Sequence, residues 1–366
     1  VEVLTSTIIS YKTFEPYYKA GEDTLNGVLI RRFNAQPFNH HKHETVRKRS
    51  KLARKIRRNL HKIGLLKAIA NKKPIWSLSS AQEREVLQSQ GYFSPDLLEY
   101  VKKNGADYKA IIILSYPYAH TFFVAEMFPE RTILIPTAHD EGDLFTSLQT
   151  QLFTQVKHIA FNTAAERDFC ASIFGKHMAQ HSILAVGVDI AEGISKEALY
   201  EKFNLPEEYV LYFGRVDASK LTQLIPWFLA YKKSKNTKVK LVLTGKLFMD
   251  KTNHPDIIYT DFVSEAEKTA LIENARLVIN PSDKESLSLL LLESMQLGKP
   301  SLVNGKSEVM KQHCIASNFA CSYYTSKTDF LQKLDAMLYN DTDSNLIAKQ
   351  AQHYVEEHYN WDVILK

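Results

Sequence analysis

The chain has 366 residues, too many for one ordinary hydrophobic core and suited to two domains. With 45% hydrophobic and 24% charged residues it has a globular composition, which excludes a disordered tail. The formal net charge is a modest +5, but the cations are unevenly distributed along the chain.

Short β-rich runs alternate with helical patterns over most of the length. "VEVLT" (1–5) and "GVLIRRF" (27–33) predict strands. A long basic segment follows, and then the predicted strands "KAIIILS" (109–115), "TILIPT" (132–137), "HIAFNT" (158–163) and "SILAVGV" (182–188). Helical stretches around 95–104, 119–128 and 164–174 separate several of them. From "YVLYFGR" (209–215) the pattern restarts with "VKLVLTG" (239–245), "DIIYT" (256–260), "ARLVINPS" (275–282), "KPSLVN" (299–304) and "FACSYY" (319–324). The strands are continuous apolar runs, the signature of parallel sheets covered by helices on both faces. Two such βα series with a polar join near 190–207 predict two doubly wound α/β domains whose facing surfaces form a cleft.

Three cysteines, Cys170, Cys314 and Cys321, are odd in number and form no C-x-x-C pair. They point to a reducing, cytoplasmic setting without structural disulfides. No apolar stretch approaches the ~20 residues that span a bilayer. No signal peptide is recognisable, in a chain that begins at Val1 rather than Met.

Open α/β sheets bind ligands at the carboxyl ends of their strands, so the residues after each strand carry the functional expectation. "GRVDASK" follows the strand at 209–213. Gly214 allows a tight turn, and Arg215 and Lys220 flank the start of the next helix, a suitable place for a diphosphate. The same residues also fit a solvated helix start. After the strand at 277–280 comes "NPSDKESLSLLLLESMQLGKP" (280–300), an apolar run bracketed by Glu285 and Glu293. A helix starting near Ser288, with Leu290, Leu291, Leu292, Met295 and Leu297 buried, puts Glu285 in the preceding loop and Glu293 in the second turn. The backbone N–H groups of Ser286, Leu287 and Ser288 would then be open to a phosphate. A carboxylate accepts two hydroxyl hydrogen bonds, so Glu293 suits a ribose diol and Glu285 a sugar hydroxyl. The plainer alternative is a helix-dipole acid and a surface glutamate.

These two stretches together resemble the donor half of glycosyltransferase family four, a family with the GT-B fold and an E-x7-E element matched by Glu285 and Glu293. The resemblance implies that Arg215 and Lys220 hold the nucleotide diphosphate, that Glu293 binds ribose and that Glu285 lies near the transferred sugar. It also implies retention of anomeric configuration without a metal. "NTAAERDF" (162–169) and "IPTAHDEGD" (135–143) resemble a bacterial branch of the family, in which His139 matches a histidine that reaches the sugar from the acceptor side. For His139 the alternative is a strand-end turn residue. Where many members have Gly-Phe-Gly after the first glutamate, this chain has Ser286-Leu287-Ser288. "VEVLTS" resembles the family's second strand, so the first strand of the N-terminal domain is expected to be missing and the chain to be a fragment. "YNWDVILK" resembles the start of the family's last helix, cut short. The expected domains are 1–192 on the acceptor side, 193–345 for the donor, and a helical segment 346–366 returning toward the first.

"HDEGD" (139–143) and "HHKH" (40–43) lack convincing metal-ligand spacing, and no metal site is expected. "DTD" (341–343) reads as a turn in "NDTDSN". In "VRKRSKLARKIRRNLHK" (46–62), Leu52, Ile56, Leu60 and, just beyond, Ile63 recur at helical spacing among arginines and lysines. Such a helix either lies on an anionic membrane surface or packs that stripe against its own domain. Nucleic acid is not expected, since no aromatics interleave the charges. The sequence thus predicts a transferase of the cytoplasm, peripheral on the inner face of the membrane or free. It would use a UDP- or GDP-linked sugar as substrate, need no cofactor, and act on a glycan, lipid-linked or other hydroxyl acceptor in bacterial surface polysaccharide assembly. The alternatives are an epimerising hydrolase, a phosphorylase (no pyridoxal-binding lysine context is found) or a catalytically silent scaffold or membrane-associated subunit of the same fold.

Overall fold

The structure, a computed structural model, describes residues 1–10, 13–221, 223–339 and 344–365. The "DTD" stretch at 341–343 lies outside them. The chain divides into two compact units, residues 1–184 and 185–366.

The second unit holds a six-stranded sheet of β8 (Tyr209–Phe213), β9 (Lys240–Thr244), β10 (Ile257–Asp261), β11 (Leu277–Asn280), β12 (Ser301–Asn304) and β13 (Ser322–Tyr324). All five strand pairs are parallel and the spatial order is β10-β9-β8-β11-β12-β13. Numbered from the first strand of the unit, this is the 3-2-1-4-5-6 order of a doubly wound sheet, whose direction reverses between β8 and β11. Strand alternation explains why β8 is buried throughout. Val210 and Tyr212 pack with Phe228 and Phe330 on one face, while Leu211 and Phe213 pack with Leu199 and Leu271 on the other. Each such large apolar side chain contributes roughly 1.5–3 kcal/mol by leaving water. The helix Ser344–His358 packs on the helix Leu289–Gln296, and its Ala351 and Val355 share a core with Leu291, Leu292 and Met295.

The first unit has two sheets. One is the parallel series β4 (Ile111–Leu114), β5 (Thr132–Ile135), β6 (His158–Phe161) and β7 (His181–Ile183). The other comprises β1 (Glu2–Ser6), β2 (Gly21–Leu25) and β3 (Val28–Phe33), in the order β1-β3-β2. Strand β2, "GEDTL", was not expected, because it is exposed along its whole length and carries no apolar run. The two sheets are not joined: β1 pairs with β3 alone and β4 with β5 alone among the described residues. They share a helix layer, since Leu97 and Val101 pack against Leu4 and Phe33 of one sheet and Ile111 and Ile113 of the other.

The basic segment corrects one expectation. It forms two helices, His40–Arg49 and Lys51–Lys62, that meet at Ser50. Leu52, Ile56 and Ile63 do not pack inward; they are 67%, 37% and 67% exposed, and of the predicted stripe Leu60 alone touches the core. The helix docks instead through Ala53 and the buried Arg57, whose guanidinium lies 4.5 Å from the centre of the Trp76 ring. Burial lowers that guanidinium to about 10. Ion pairs to the loop after β5 add to the docking: Arg54 to Asp143 at 2.6 Å, Arg58 to Asp140 at 2.8 Å and Arg47 to Asp143 at 3.2 Å. Acids at 140 and 143 draw the arginine face inward, which leaves the apolar face outside.

Candidate functional site

At the reversal between β8 and β11, the loops that leave both strands enclose a cavity of about 320 Å³. Its walls include five residues singled out in the sequence, Gly214, Arg215, Lys220, Glu285 and Ser288, together with Asn280. Gly214 has φ +133, a conformation that side chains resist. Its N–H donates to Thr244 O at 2.9 Å, which holds the loop after β8 against the end of β9.

Asp217 organises the "GRVDASK" turn. It accepts hydrogen bonds from Ser219, from the Lys220 N–H at 3.1 Å and from Arg215. Burial pushes its carboxyl up, but these donors outweigh it and hold the group below its ordinary value. Across the cavity, the Lys220 ammonium lies 2.6 Å from Glu285 and 3.1 Å from Ser282 Oγ. A diphosphate entering here would meet Arg215 and Lys220 as two cations on one rim.

The helix after β11 is Leu289–Gln296, one residue later than the sequence suggests. Ser288 precedes it in a left-handed conformation, φ 72, with its Oγ bonded to Asn280 Nδ2 at 2.9 Å. Intrahelical bonding begins when the Leu291 and Leu292 N–H groups donate to Ser288 O. The Leu289 and Leu290 N–H groups therefore have no acceptor within the helix, and both residues line the cavity. Of the three residues expected to offer N–H groups, Ser288 lines the cavity, while Ser286 and Leu287 are not among its walls. Leu287 instead packs its side chain in the core and accepts a hydrogen bond from the buried His313 ring at 2.9 Å.

Glu293 is not among the cavity walls. It lies mostly buried in the second helical turn, with Lys268 Nζ at 2.9 Å from its carboxylate. Burial raises its carboxyl above the ordinary value, although Lys268 draws it the other way. Asn280, Gly245 and Lys268 complete this region and were not singled out in the sequence. Asn280 and Gly245 could have been, since each ends a predicted strand. Lys268 could not, because it arrives from a helix 25 residues away.

In the first unit, His139 follows β5 and is half-buried, with its Nδ1 unpartnered among the described residues. The loop that carries it is clamped by Glu166, which accepts the N–H groups of Ala138 and, at 2.7 Å, Asn162. Burial pushes the Glu166 carboxyl up to about 7, even though these N–H groups pull it down. The acids of "HDEGD" are engaged elsewhere: Asp140 and Asp143 with arginines and Glu141 with Tyr116. Among the described residues no cluster of three His, Cys, Asp or Glu side chains could hold a metal. Nor is any described helix long and apolar enough to cross a membrane.

Comparison with known proteins agrees with this geometry. Residues 195–354, which contain the whole cavity, match the family model for glycosyl transferases group 1. No curated protein matches the chain at a significant level. Among solved structures, sucrose-phosphate synthase from Thermosynechococcus elongatus superposes with a TM-score of 0.67 at 13% identity, over 99% of this chain and 86% of its own. A trehalose-phosphate synthase (UDP-forming) from Burkholderia vietnamiensis gives 0.66 at 9% identity, over 99% and 94%. Anabaena HepE in complex with UDP and glucose gives 0.61 at 12% identity, over 92% and 84%. Identities this low speak for the fold, and the fold is GT-B, with two Rossmann-like α/β domains, the second of which matches the glycosyl transferases group 1 model.

Proposed function

We propose that the protein is a glycosyltransferase that moves a sugar from a nucleotide diphosphate, UDP- or GDP-linked, to a hydroxyl acceptor. The observation that carries this reading is the convergence of Arg215, Lys220, Glu285 and the helix start at Ser288 on one cavity at the sheet reversal. Cations and backbone N–H groups there would stabilise the diphosphate as it leaves, an electrostatic contribution of the kind that often dominates catalysis. Glu285 would hold a hydroxyl of the transferred sugar. Glu293 would reach the ribose after exchanging its contact with Lys268. His139 would position the sugar or the acceptor. On this reading the reaction retains anomeric configuration and uses no metal, with the leaving phosphate taking the acceptor proton. The resemblance to a bacterial branch supports a role in surface polysaccharide assembly in the cytoplasm. The complexes of HepE with UDP and with UDP-glucose support the choice of donor class.

The outward Leu52, Ile56 and Ile63, set among Lys51, Lys55 and Lys62, support contact with an anionic membrane surface on the same reading. A catalytically silent scaffold is disfavoured by the intact Arg215, Lys220 and Glu285.

Calorimetric titration with UDP, GDP and their sugars in metal-free buffer tests the proposal. One nucleotide is expected to bind, and Arg215→Ala and Glu293→Ala are each expected to weaken it. A folded protein that binds none of them would overturn the donor site and put the scaffold reading first.

A further inference from the structure

The first unit contains a second, chemically different pair of cavities. The inner one, about 210 Å³, is walled by the rings of Phe14, Phe38 and Tyr92 and floored by Gln149. Phe14 and Phe38 lie 4.2 Å apart, and Phe14 is 5.8 Å from Tyr92. Gln149 is 2% exposed. Its amide nitrogen donates to Tyr116 O at 3.2 Å, but its Oε1 has no partner among the described residues. A buried carbonyl left without a donor costs roughly 1–3 kcal/mol, so this atom calls for a ligand hydroxyl or a water. The carboxylates that also reach the chamber are occupied: Glu83 by Ser79, Ser147 and the Leu148 N–H, Glu141 by Tyr116, and Asp143 by Arg47 and Arg54. Apolar ring faces beside a buried acceptor that lacks a donor suit a neutral, polyhydroxylated ring.

The outer groove, about 500 Å³, shares His43, Arg47 and Arg54 with the inner chamber and continues from it along the two basic helices. Its cations are Arg47, Lys48, Lys51, Arg54, Lys55 and Arg58, of which Arg47 and Arg54 pair with Asp143 and Arg58 with Asp140, while Glu44 lines the groove itself. Lys48 pairs with Glu44 at 3.6 Å, but no described carboxylate pairs with Lys51 or Lys55. A concave surface with two lysines unpaired among the described residues concentrates phosphate, and the neighbouring guanidinium groups would bind it in two-pronged fashion on exchanging their aspartate partners.

We infer that the inner chamber and outer groove together bind a glycosyl phosphate or diphosphate, with the sugar ring over Gln149 and the phosphates on Lys51, Lys55 and the shared arginines. This names the acceptor class for the transferase proposed above and rests on that reading. The ligand is either a soluble sugar phosphate or the head of a lipid-linked one. Exposed Leu52 and Ile56 border the groove on the same helix and would lie along a lipid tail.

The test is calorimetric titration of the full chain, with and without saturating UDP. The soluble probes are the 1-phosphates of glucose, galactose, mannose and N-acetylglucosamine, with inorganic diphosphate as the anion control. At least one sugar phosphate is expected to bind while UDP is present, and more weakly as salt rises. The double variant Lys51→Glu/Lys55→Glu, altered only at exposed positions, is expected to weaken all phosphate probes about tenfold or more and leave UDP unchanged. Gln149→Leu is expected to weaken the sugar phosphate and spare inorganic diphosphate. A parallel arm uses phosphatidylcholine vesicles carrying a polyprenyl diphosphate sugar. Tighter binding there than to the soluble probes, lost in Leu52→Ser/Ile56→Ser, identifies the lipid-linked source; equal binding identifies the soluble one. Failure of every sugar phosphate and of the vesicles to bind the wild-type chain, or binding indifferent to the lysine variant, overturns the inference. Sugar-phosphate binding in a protein that ignores UDP would instead sink the donor proposal and leave this site standing.

Discussion

The Lys220 ammonium sits 2.6 Å from the Glu285 carboxylate, so the cavity between β8 and β11 contains a neutralised pair. On the proposed donor reading, a diphosphate would compete with Glu285 for that lysine. Lys220→Ala is therefore expected to weaken UDP binding tenfold or more, about 1.5–3 kcal/mol for a charge-assisted hydrogen bond. Glu285→Gln removes the competitor and is expected to leave UDP binding equal or tighter while turnover falls. Calorimetry with UDP beside a transfer assay separates the two; parallel loss of UDP affinity in both variants would refute the competition.

Glu166 links pH to stability through the loop that carries His139. Its carboxyl is raised from 4.5 to about 7 by burial, so the folded state keeps a proton that the unfolded chain loses first. That contribution is fully present below about pH 4.5 and is lost as pH rises through 7, amounting to roughly 3 kcal/mol at about 1.4 kcal/mol per pKa unit. Glu166→Gln cannot titrate. Denaturant midpoints measured from pH 5 to 8 should fall for the wild type relative to the variant, and a constant difference between them would contradict this.

A methyl group at Gly245 would collide with the Gly214 carbonyl, and Gly245 itself has φ +128. Gly245→Ala is expected to cost about 1–3 kcal/mol of stability through strain and overpacking. Because Gly214 lines the proposed donor cavity, UDP affinity should fall with it. Urea denaturation and UDP titration on the same variant check both halves.

Leu52 and Ile56 point to solvent, so Leu52→Ser/Ile56→Ser should change stability by no more than about 0.5 kcal/mol per site. Sedimentation with phosphatidylglycerol vesicles should show weakened binding for this variant. Unchanged partition would rule out membrane contact through this face.

Strands β8 and β11 were legible as continuous apolar runs, since a strand buried on two faces has no polar side to show; β4 carries such a run although Ile112 and Leu114 are exposed, and β7, exposed throughout, covers only the start of the strand predicted at 182–188. Arg215, Lys220 and Glu285 were legible for a related reason: in a doubly wound sheet, the position just after a strand already predicts the ligand edge. Strand β2 was not legible, being polar and exposed throughout. Glu166 and Gln149 looked like ordinary helical polar residues, because burial and an unpartnered atom are properties of what surrounds a side chain.

Local periodicity and turn chemistry, which the sequence contains in full, thus determined the two α/β series and the residues at their strand ends. Contacts between distant segments were left to the tertiary structure. It decided that Lys220 meets Glu285 across 65 residues and that Lys268 meets Glu293. It also turned the apolar face of Lys51–Lys62 outward, because Asp140 and Asp143, more than eighty residues away, draw the arginines in. Helical spacing says which residues share a face; only the charges that face meets say which way it turns.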